Sequence, residues 1–237
     1  MKNRLFLLSF LWLSQLSLGQ ELVVKNHSNW NTLNVVKTIS QHWYANAELN
    51  VRRTNFLSDW EQIVLRPLVH YKVENNIDIA LGYSYIKNFQ FSEFSTPIDV
   101  NEQNIFQQLM IKQQFSKFSF GHRIRFEERF IDHLVLQDTD VYHIDGRKHK
   151  NRFRYRLQMA IPLKGKSISL FLYDEAFLDF GNRLRPEKLD QNWMFAGLIF
   201  KISEHIKIRT GYHDIFAKRN DLFINNHVWE TTLTYHI

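Results

Sequence analysis

From Arg152 to Leu163, an apolar side chain occupies every second position of the sequence. The apolar row consists of Phe153, Tyr155, Leu157, Met159, Ile161 and Leu163, and the alternate row begins with Arg152, Arg154, Arg156 and Gln158. Residues two apart share one face of a β-strand, because successive side chains point to opposite sides of the backbone. So long an apolar row beside a row of arginines predicts a strand that turns its apolar face to lipid and its polar face to an interior.

The same two-residue period recurs along the chain and predicts a protein made of β-strands. It is almost as regular in residues 118–130, where phenylalanines alternate with Arg123, Arg125, Glu127 and Arg129. It is present in less pure form in residues 30–39, 43–53, 63–71, 77–87, 105–115, 168–175, 193–201, 206–216 and 227–237. These segments predict about eleven strands. No segment after Gln20 has the length and apolar period of a transmembrane helix.

The links between these segments alternate in length. Short links fall near residues 40–41, 74–76, 116–117, 164–166 and 203–204, and long links near residues 54–59, 88–104, 132–150, 179–190 and 217–225. Tight turns at one end and long loops at the other are typical of outer-membrane barrels. An even strand number requires one further strand before Trp30, which residues 21–26 could supply. We therefore predict an all-β fold, a closed antiparallel transmembrane β-barrel of about 12 strands, with about 10 as the alternative.

The first residues have the pattern of a secretory signal peptide. Lys2 and Arg4 form a positive n-region, residues 5–16 an apolar core, and residues 17–19 a small-residue cleavage site. The alternative is a transmembrane anchor, but Ser9, Ser14 and Gln15 interrupt the apolar stretch, which is shorter than the roughly 20 residues that a span requires. We predict a cleaved signal over residues 1–19 and one barrel domain over residues 20–237.

Composition agrees with a strand-rich protein and excludes several other classes. The chain of 237 residues has 20 Phe but only 8 Gly and 4 Pro, so it is rich in strand formers and poor in residues that break strands. The absence of cysteine excludes disulfides, thiolate nucleophiles and cysteine metal sites. A mean hydropathy of -0.35 does not argue against a membrane barrel, because such barrels alternate lipid-facing and polar residues.

The charged side chains of the polar rows are predicted to face the lumen and to form a charge network there. The members of this network are Glu48, Arg52, Arg66, Arg123, Arg125, Glu127, Arg129, Arg152, Arg154, Arg156, Glu175, Lys207, Arg209 and Glu230. One interpretation is that opposite charges pair across strands and fill the narrow lumen, since buried charges need partners. Because arginine outnumbers glutamate in this set, the other interpretation is an electropositive, narrow channel that favours anionic solutes.

Catalysis and metal binding have little support in the sequence. No serine has a recognisable nucleophile context, so no catalytic residue is assigned, and a membrane-embedded lipid hydrolase or acyltransferase stays an alternative. His143, Asp145 and His149 lie in the longest predicted loop together with His133, but their spacing matches no known ligand signature. A solvated surface loop explains them equally well, and we assign no metal and no cofactor.

Aromatic residues near the strand ends suit the two interfacial girdles of a membrane barrel or, alternatively, the core of a soluble one. They are Trp30, Trp43, Trp60, Tyr83, Tyr85, Trp193, Tyr212, Trp229 and Tyr235. Basic residues alternate with acidic ones along strands, and the net charge of +6 for the full chain is modest, so nucleic acid is not expected as a partner.

Several short motifs, in their order along the chain, resemble an uncharacterised outer-membrane β-barrel family, domain of unknown function 2490, common in bacteria of the Bacteroidetes type. The motifs are Trp30 with its strand, residues 65–68 leading to Tyr71, residues 81–83, residues 122–129, residues 152–156, Asp174-Glu175 and Gly211-Tyr212. The resemblance spans nearly the whole mature chain. It implies a barrel fold and a location, and no activity.

The sequence therefore predicts a bacterial outer-membrane protein with an Arg/Glu-rich lumen, acting as a narrow anion-favouring channel or as a structural surface component. Its expected partners are outer-membrane lipid and the outer-membrane assembly machinery, because residues 229–237 resemble the C-terminal strand that such machinery reads. A small anionic solute is a possible further partner. A soluble periplasmic barrel that binds an apolar ligand is the remaining alternative.

Overall fold

The computed structural model describes residues 23–93, 95–163, 167–180, 186–219 and 222–237. In these residues the chain forms eleven strands, β1 (Val23–Thr38), β2 (Trp43–Thr54), β3 (Asp59–Glu74), β4 (Ile77–Asn88), β5 (Val100–Gln114), β6 (Ser119–Asp138), β7 (Val141–Pro162), β8 (Ile168–Phe180), β9 (Pro186–Lys201), β10 (Ile206–Arg219) and β11 (Leu222–His236). Nowhere in this part of the chain is a helix long and apolar enough to cross a membrane. The predicted signal peptide and the predicted turn at residues 164–166 lie outside the described residues.

The strands close into one barrel. Each strand pairs antiparallel with its neighbour in sequence, and β1 closes the barrel by pairing in parallel with β11. In the closing pair Asn31 lies opposite Thr231, and on its other side Asn31 lies opposite Val51 of β2. An odd number of strands makes the first and last run in the same direction, so this closure has to be parallel. The predicted closed all-β barrel is confirmed, with a strand count between the two that the sequence suggested.

Strand β1 accounts for the difference in strand number. The sequence suggested one strand in residues 21–26 and another from Trp30, but the structure has a single strand of 16 residues from Val23. The polar run between them resembles a turn in composition. Instead, Asn26 accepts a hydrogen bond from Thr54 Oγ1 at 3.1 Å, and Ser28 Oγ donates to Asn226 Oδ1 at 3.1 Å. These polar side chains are satisfied by the two neighbouring strands, β2 and β11, so the chain does not need to turn there.

The two ends of the barrel differ. At the turn end, short links at residues 39–42, 75–76, 115–118 and 202–205 join the strands. At the hairpin end the described links are residues 55–58, residues 89–93 with 95–99, and the two-residue turn 139–140. The prediction of a long loop over residues 132–150 is wrong. β6 and β7 instead pair with each other up to Asp138 and Val141. Their pairing with β5 and β8 ends at Ile131 and Asn151, so beyond these residues they form a two-stranded ribbon.

Side chains sort onto two faces along each strand of the barrel. Leu81 is 58% exposed, whereas its neighbours Ala80 and Gly82 are buried. The outward, exposed apolar surface is called the outer wall, and its members include Leu65, Val69, Ile79, Leu81, Tyr83, Ile105, Tyr155, Leu157 and Leu233. The inward side chains are mostly buried and include both ionic and aromatic groups.

Glycines on the inward face make room for large side chains. A Cβ built on Gly82 would lie 2.2 Å from the ring of Phe106, which packs over this position. A Cβ on Gly211 would lie 2.4 Å from the backbone of the adjoining strand. Both contacts are closer than any side chain permits, so these positions accept no residue larger than glycine without a shift of their neighbours.

Candidate functional site

The centre of the barrel interior holds two buried carboxylates, each bonded to several arginines. Glu127 on β6 accepts hydrogen bonds from Arg152 Nε at 2.7 Å and from Arg154 Nη1 at 2.9 Å. Arg125 Nη1 lies 3.6 Å from Glu127 Oε1. The side chain of Glu127 is only 2% exposed. Burial of this charge is tolerated because charge-assisted hydrogen bonds to guanidinium groups satisfy both oxygens.

Glu175 on β8 is the second centre and is fully buried. It accepts hydrogen bonds from Arg123 Nη2 at 2.5 Å, Arg154 Nε at 2.9 Å and Arg156 Nη2 at 2.6 Å. Arg154 thereby joins Glu127 to Glu175. The arrangement follows from register, since Arg156 lies directly opposite Glu175 and the arginines of β7 recur at every second, inward position.

Smaller pairs surround these two centres. Arg66 Nη1 lies 2.8 Å from Glu48, Arg129 Nε lies 2.7 Å from Glu102, and Arg209 is bonded to Glu230. Glu102 was not among the residues predicted for the network, because the strand that carries it was predicted to begin three residues later, at Ile105. Glu102 lies at every second position with Asn104 and Phe106, on the inward face of β5. This spacing is the signal that would have identified it.

Two predicted members of the network stand apart. Lys207 lies near the turn end of β10, is exposed, and takes part in none of these ion pairs. Arg52 is inside the barrel, but in the described part of the chain no carboxylate lies within ion-pair distance of its guanidinium. Every other arginine of the predicted set has a carboxylate within 4.0 Å.

The excess positive charge expected from the sequence is therefore largely compensated. Five inward carboxylates among the described residues were missed: Glu61, Asp78, Glu102, Asp179 and Asp190. Asp179 lies 3.9 Å from Arg129, and Asp190 lies 3.7 Å from Arg152. Both had been assigned to a loop, although β8 and β9 extend past them. Glu61 lies where the register between β2 and β3 shifts, so the two-residue period does not reveal its direction.

Aromatic rings fill the space between the arginines. The guanidinium carbon of Arg156 lies 3.9 Å from the ring centre of Tyr173, that of Arg154 lies 4.1 Å from Phe177, and that of Arg125 lies 4.1 Å from Phe106. Stacking on an aromatic face stabilises a planar cation, so these rings shield the network without leaving its charges unsolvated.

Two tryptophans predicted for the membrane interface are in the interior instead. Trp30 is 3% exposed and contacts Trp193 edge-on, with 5.4 Å between ring centres. Trp30 lies two residues after Ser28 on β1 and therefore shares its inward face. The turn that the sequence suggested before Trp30 concealed this relation. Other predicted girdle residues, among them Trp43, Trp60, Tyr83, Tyr212, Trp229 and Tyr235, do face outward and are exposed.

His213 is enclosed beneath the two tryptophans. Its Nδ1 lies 2.9 Å from Glu230 Oε2, and its Nε2 lies 3.2 Å from the hydroxyl of Tyr173. His213, Glu175, Phe106 and Val228 have no exposed surface at all, and Phe177 has 1%. The middle of the barrel is therefore a packed layer of ion pairs and rings, called here the ionic core.

The residues considered for chemistry outside the lumen do not assemble into a recognisable centre. His133, His143 and His149 are spread along the exposed β6–β7 ribbon, and the described residues include no cluster of three metal-ligating side chains. On the outer wall, Asp214 lies 3.6 Å from His227 Nδ1, which also contacts the hydroxyl of Tyr212. Across the described ranges, no serine or threonine hydroxyl is bonded to a histidine ring.

Above the ionic core, at the hairpin end, the interior opens into a cavity called the mouth cup. Its volume is about 270 Å³. Its lining includes Trp30, Arg52, Glu61, Gln62, Asn88, Phe91, Trp193, Ile215 and Asn226. Side chains from seven strands and from the link between β4 and β5 thus meet at one place.

The class that this architecture defines is a closed β-barrel with a packed ionic interior and a small cup at one end. The chain belongs to the family described as Protein of unknown function (DUF2490), whose model matches residues 27–222. An uncharacterised protein of Methylorubrum extorquens is 27% identical over 174 residues, covering 70% of this chain and 68% of that protein.

Among solved structures, the translocator domain of the autotransporter NalP from Neisseria meningitidis has a TM-score of 0.47 with this barrel. It is 11% identical, and the match covers 81% of this chain and 73% of that one. Both values lie below the level at which a shared function could be inferred.

Proposed function

We propose that the protein is an outer-membrane β-barrel that does not conduct ions and acts as a structural component of the bacterial surface. The observation that carries the location is the outer wall, where apolar side chains such as Leu65, Leu81 and Leu157 are exposed on strand after strand. In water such a surface would cost free energy in proportion to its area, whereas in lipid it is at its most stable. The export signal predicted over residues 1–19 supports the same location.

The ionic core favours a closed, non-conducting lumen and argues against an anion channel. A channel needs a water-filled path, and its selectivity comes from charges exposed to the passing ion. Here Glu127 and Glu175 engage the central arginines, and Phe106 and Phe177 occupy the space beside them. An anion would have to displace a paired carboxylate to approach these arginines.

Membrane residence has a direct test. In cell fractionation we expect the protein in the outer-membrane fraction, extractable by detergent and not by high salt or carbonate. The folded barrel should also migrate differently on a gel before and after boiling, because its closed sheet resists detergent until heated. Release without detergent would instead support the soluble periplasmic barrel.

Ion conduction is tested by recording from the purified protein in planar bilayers. We expect no discrete current steps from the wild-type barrel, because the ionic core blocks the lumen. Incorporation of folded protein into the same lipid should be verified by its gel migration. Discrete anion-selective steps that lose their selectivity in Arg154→Glu/Arg156→Glu would contradict the closed lumen and restore the channel interpretation.

A further inference from the structure

The mouth cup is a built cavity with an aromatic floor. Trp30 and Trp193 form this floor edge to face, and Val228 and the lining residue Ile215 pack with Trp30. The wall is mixed, with Gln62, Asn88 and Asn226 beside apolar residues such as Val24 and Ile224. An apolar floor with a few polar groups around it is the usual composition of a small-molecule site.

Arg52 is the cation on the floor of this cup, whose lining also includes Lys25 and Lys218. Its guanidinium carbon lies 3.5 Å from the ring centre of Trp30, its Nε donates to Asn50 Oδ1 at 2.7 Å, and its Nη1 is bonded to Gln62 Oε1. These partners are neutral. Within the described ranges no carboxylate comes within 4.0 Å of it, in contrast with the arginines of the ionic core. The cup therefore holds a positioned cation that makes no direct ion pair in the described residues.

The acid in the cup, Glu61, is engaged elsewhere. Its Oε2 accepts a hydrogen bond from Trp30 Nε1 at 3.1 Å, and its Oε1 accepts one from Asn226 Nδ2 at 3.3 Å. These bonds hold the carboxylate on the tryptophan and asparagine side of the cup. Glu61 thus orients the floor and, with Glu230, acts on Arg52 only through space, so no direct ion pair in the described residues occupies the guanidinium.

The segment after β4 forms a folded roof over the cup. Phe89 N donates to Glu61 O at 3.0 Å, and Phe91 N and Ser92 N both donate to the hydroxyl oxygen of Ser95, at 3.0 and 3.1 Å. Gln90 N is bonded to Asp99 at 3.0 Å. A roof held by these bonds limits the size of the ligand, in agreement with a cavity of about 270 Å³.

We propose that the mouth cup binds a small monoanion with a flat apolar body, such as an aromatic carboxylate. The carboxylate would pair with the guanidinium of Arg52, since Arg–carboxylate hydrogen bonds are strong and geometrically specific. The flat body would lie against the partly exposed ring of Trp193, since Arg52 already covers the ring face of Trp30, and aromatic contacts there add affinity. This site lies above the ionic core and does not require a conducting lumen.

The experiment measures binding of benzoate to the full barrel in detergent. Fluorine NMR follows binding through the fluorinated analogue 4-fluorobenzoate. Benzamide and benzylamine serve as neutral and cationic probes of similar shape. We expect benzoate to bind at least ten-fold more tightly than either of them, because only the anion pairs with Arg52.

Arg52→Gln should weaken benzoate binding ten-fold or more, while Arg53→Gln should leave it unchanged. Arg53 is the matched control, since it adjoins Arg52 on β2 and its guanidinium instead stacks over Trp60, outside the lining of the cup. Gln62→Glu is a second variant that adds a carboxylate beside Arg52 and should abolish benzoate binding while the barrel stays folded. Equal binding of the three probes, or equal loss in Arg52→Gln and Arg53→Gln, would overturn the proposal.

Discussion

Replacing Glu127 with glutamine should lower the free energy of unfolding by about 3 to 5 kcal/mol, the usual cost of breaking a buried ion pair by removing one partner. Glutamine keeps the shape of the side chain and removes its charge. Arg152 and Arg154, whose side chains are 8% and 6% exposed, would then lose a compensating carboxylate. The measurement is a urea titration of the detergent-solubilised barrel, followed by tryptophan fluorescence and by gel migration.

Glu128→Gln is the matched control. Glu128 is the next residue on β6 and faces outward with its side chain 44% exposed, and in the described part of the chain its one ionic partner is His149, at 4.0 Å. Exposed pairs contribute about 0 to 1 kcal/mol, so this variant should unfold at nearly the wild-type urea concentration.

The double variant Glu127→Gln/Arg152→Gln should recover part of the loss, because one of the uncompensated cations is removed together with its partner. If Glu127→Gln and Glu128→Gln destabilise the barrel equally, or if neither does, the ionic core does not stabilise the barrel as proposed.

Replacing Leu81 with arginine should destabilise the barrel in lipid by about 2 to 4 kcal/mol if the position lies near the middle of the bilayer. Leu81 is on the outer wall at the centre of β4, with Ile79 and Tyr83 exposed beside it on the same face. The physical reason is the cost of transferring a guanidinium from water to hydrocarbon. Folding into vesicles in a series of urea concentrations measures the change.

Leu57→Arg provides a control of the same residue type and nearly the same exposure. Leu57 is 51% exposed and Leu81 is 58% exposed, but Leu57 lies in the turn between β2 and β3 at the hairpin end. A barrel in a bilayer should distinguish the two substitutions strongly, since the turn would lie in water. A soluble barrel would tolerate both equally, so equal effects would contradict the proposed location.

The orientation of the strands' faces could be predicted from the sequence wherever the apolar row was long. Arg154 and Arg156 were expected inside and Tyr155 outside, and the structure places them so. The prediction succeeded because alternation is a local property of an extended backbone. It was wrong at Trp30 and in residues 132–150, where polar side chains resembled a link although the backbone continues to pair.

The contents of the lumen could be predicted only in part. The sequence placed arginines and glutamates in the interior, but it omitted Glu61, Glu102 and the aromatic rings that separate the cations. In a short alternating segment, or beside a register shift, counting every second residue does not determine which face a side chain occupies. The expected surplus of positive charge followed from these omissions.

The sequence by itself determined that the chain is a sheet with one apolar and one ionic face, because a strand separates neighbouring side chains whatever surrounds it. Tertiary structure alone decided that β1 and β11 close in parallel, that Glu175 binds three arginines, and that Arg52 has neutral hydrogen-bond partners beneath a roof. These outcomes depend on register across strands and on contacts between distant residues such as Ser28 and Asn226. No local period encodes which side chains meet when a sheet curls into a closed barrel.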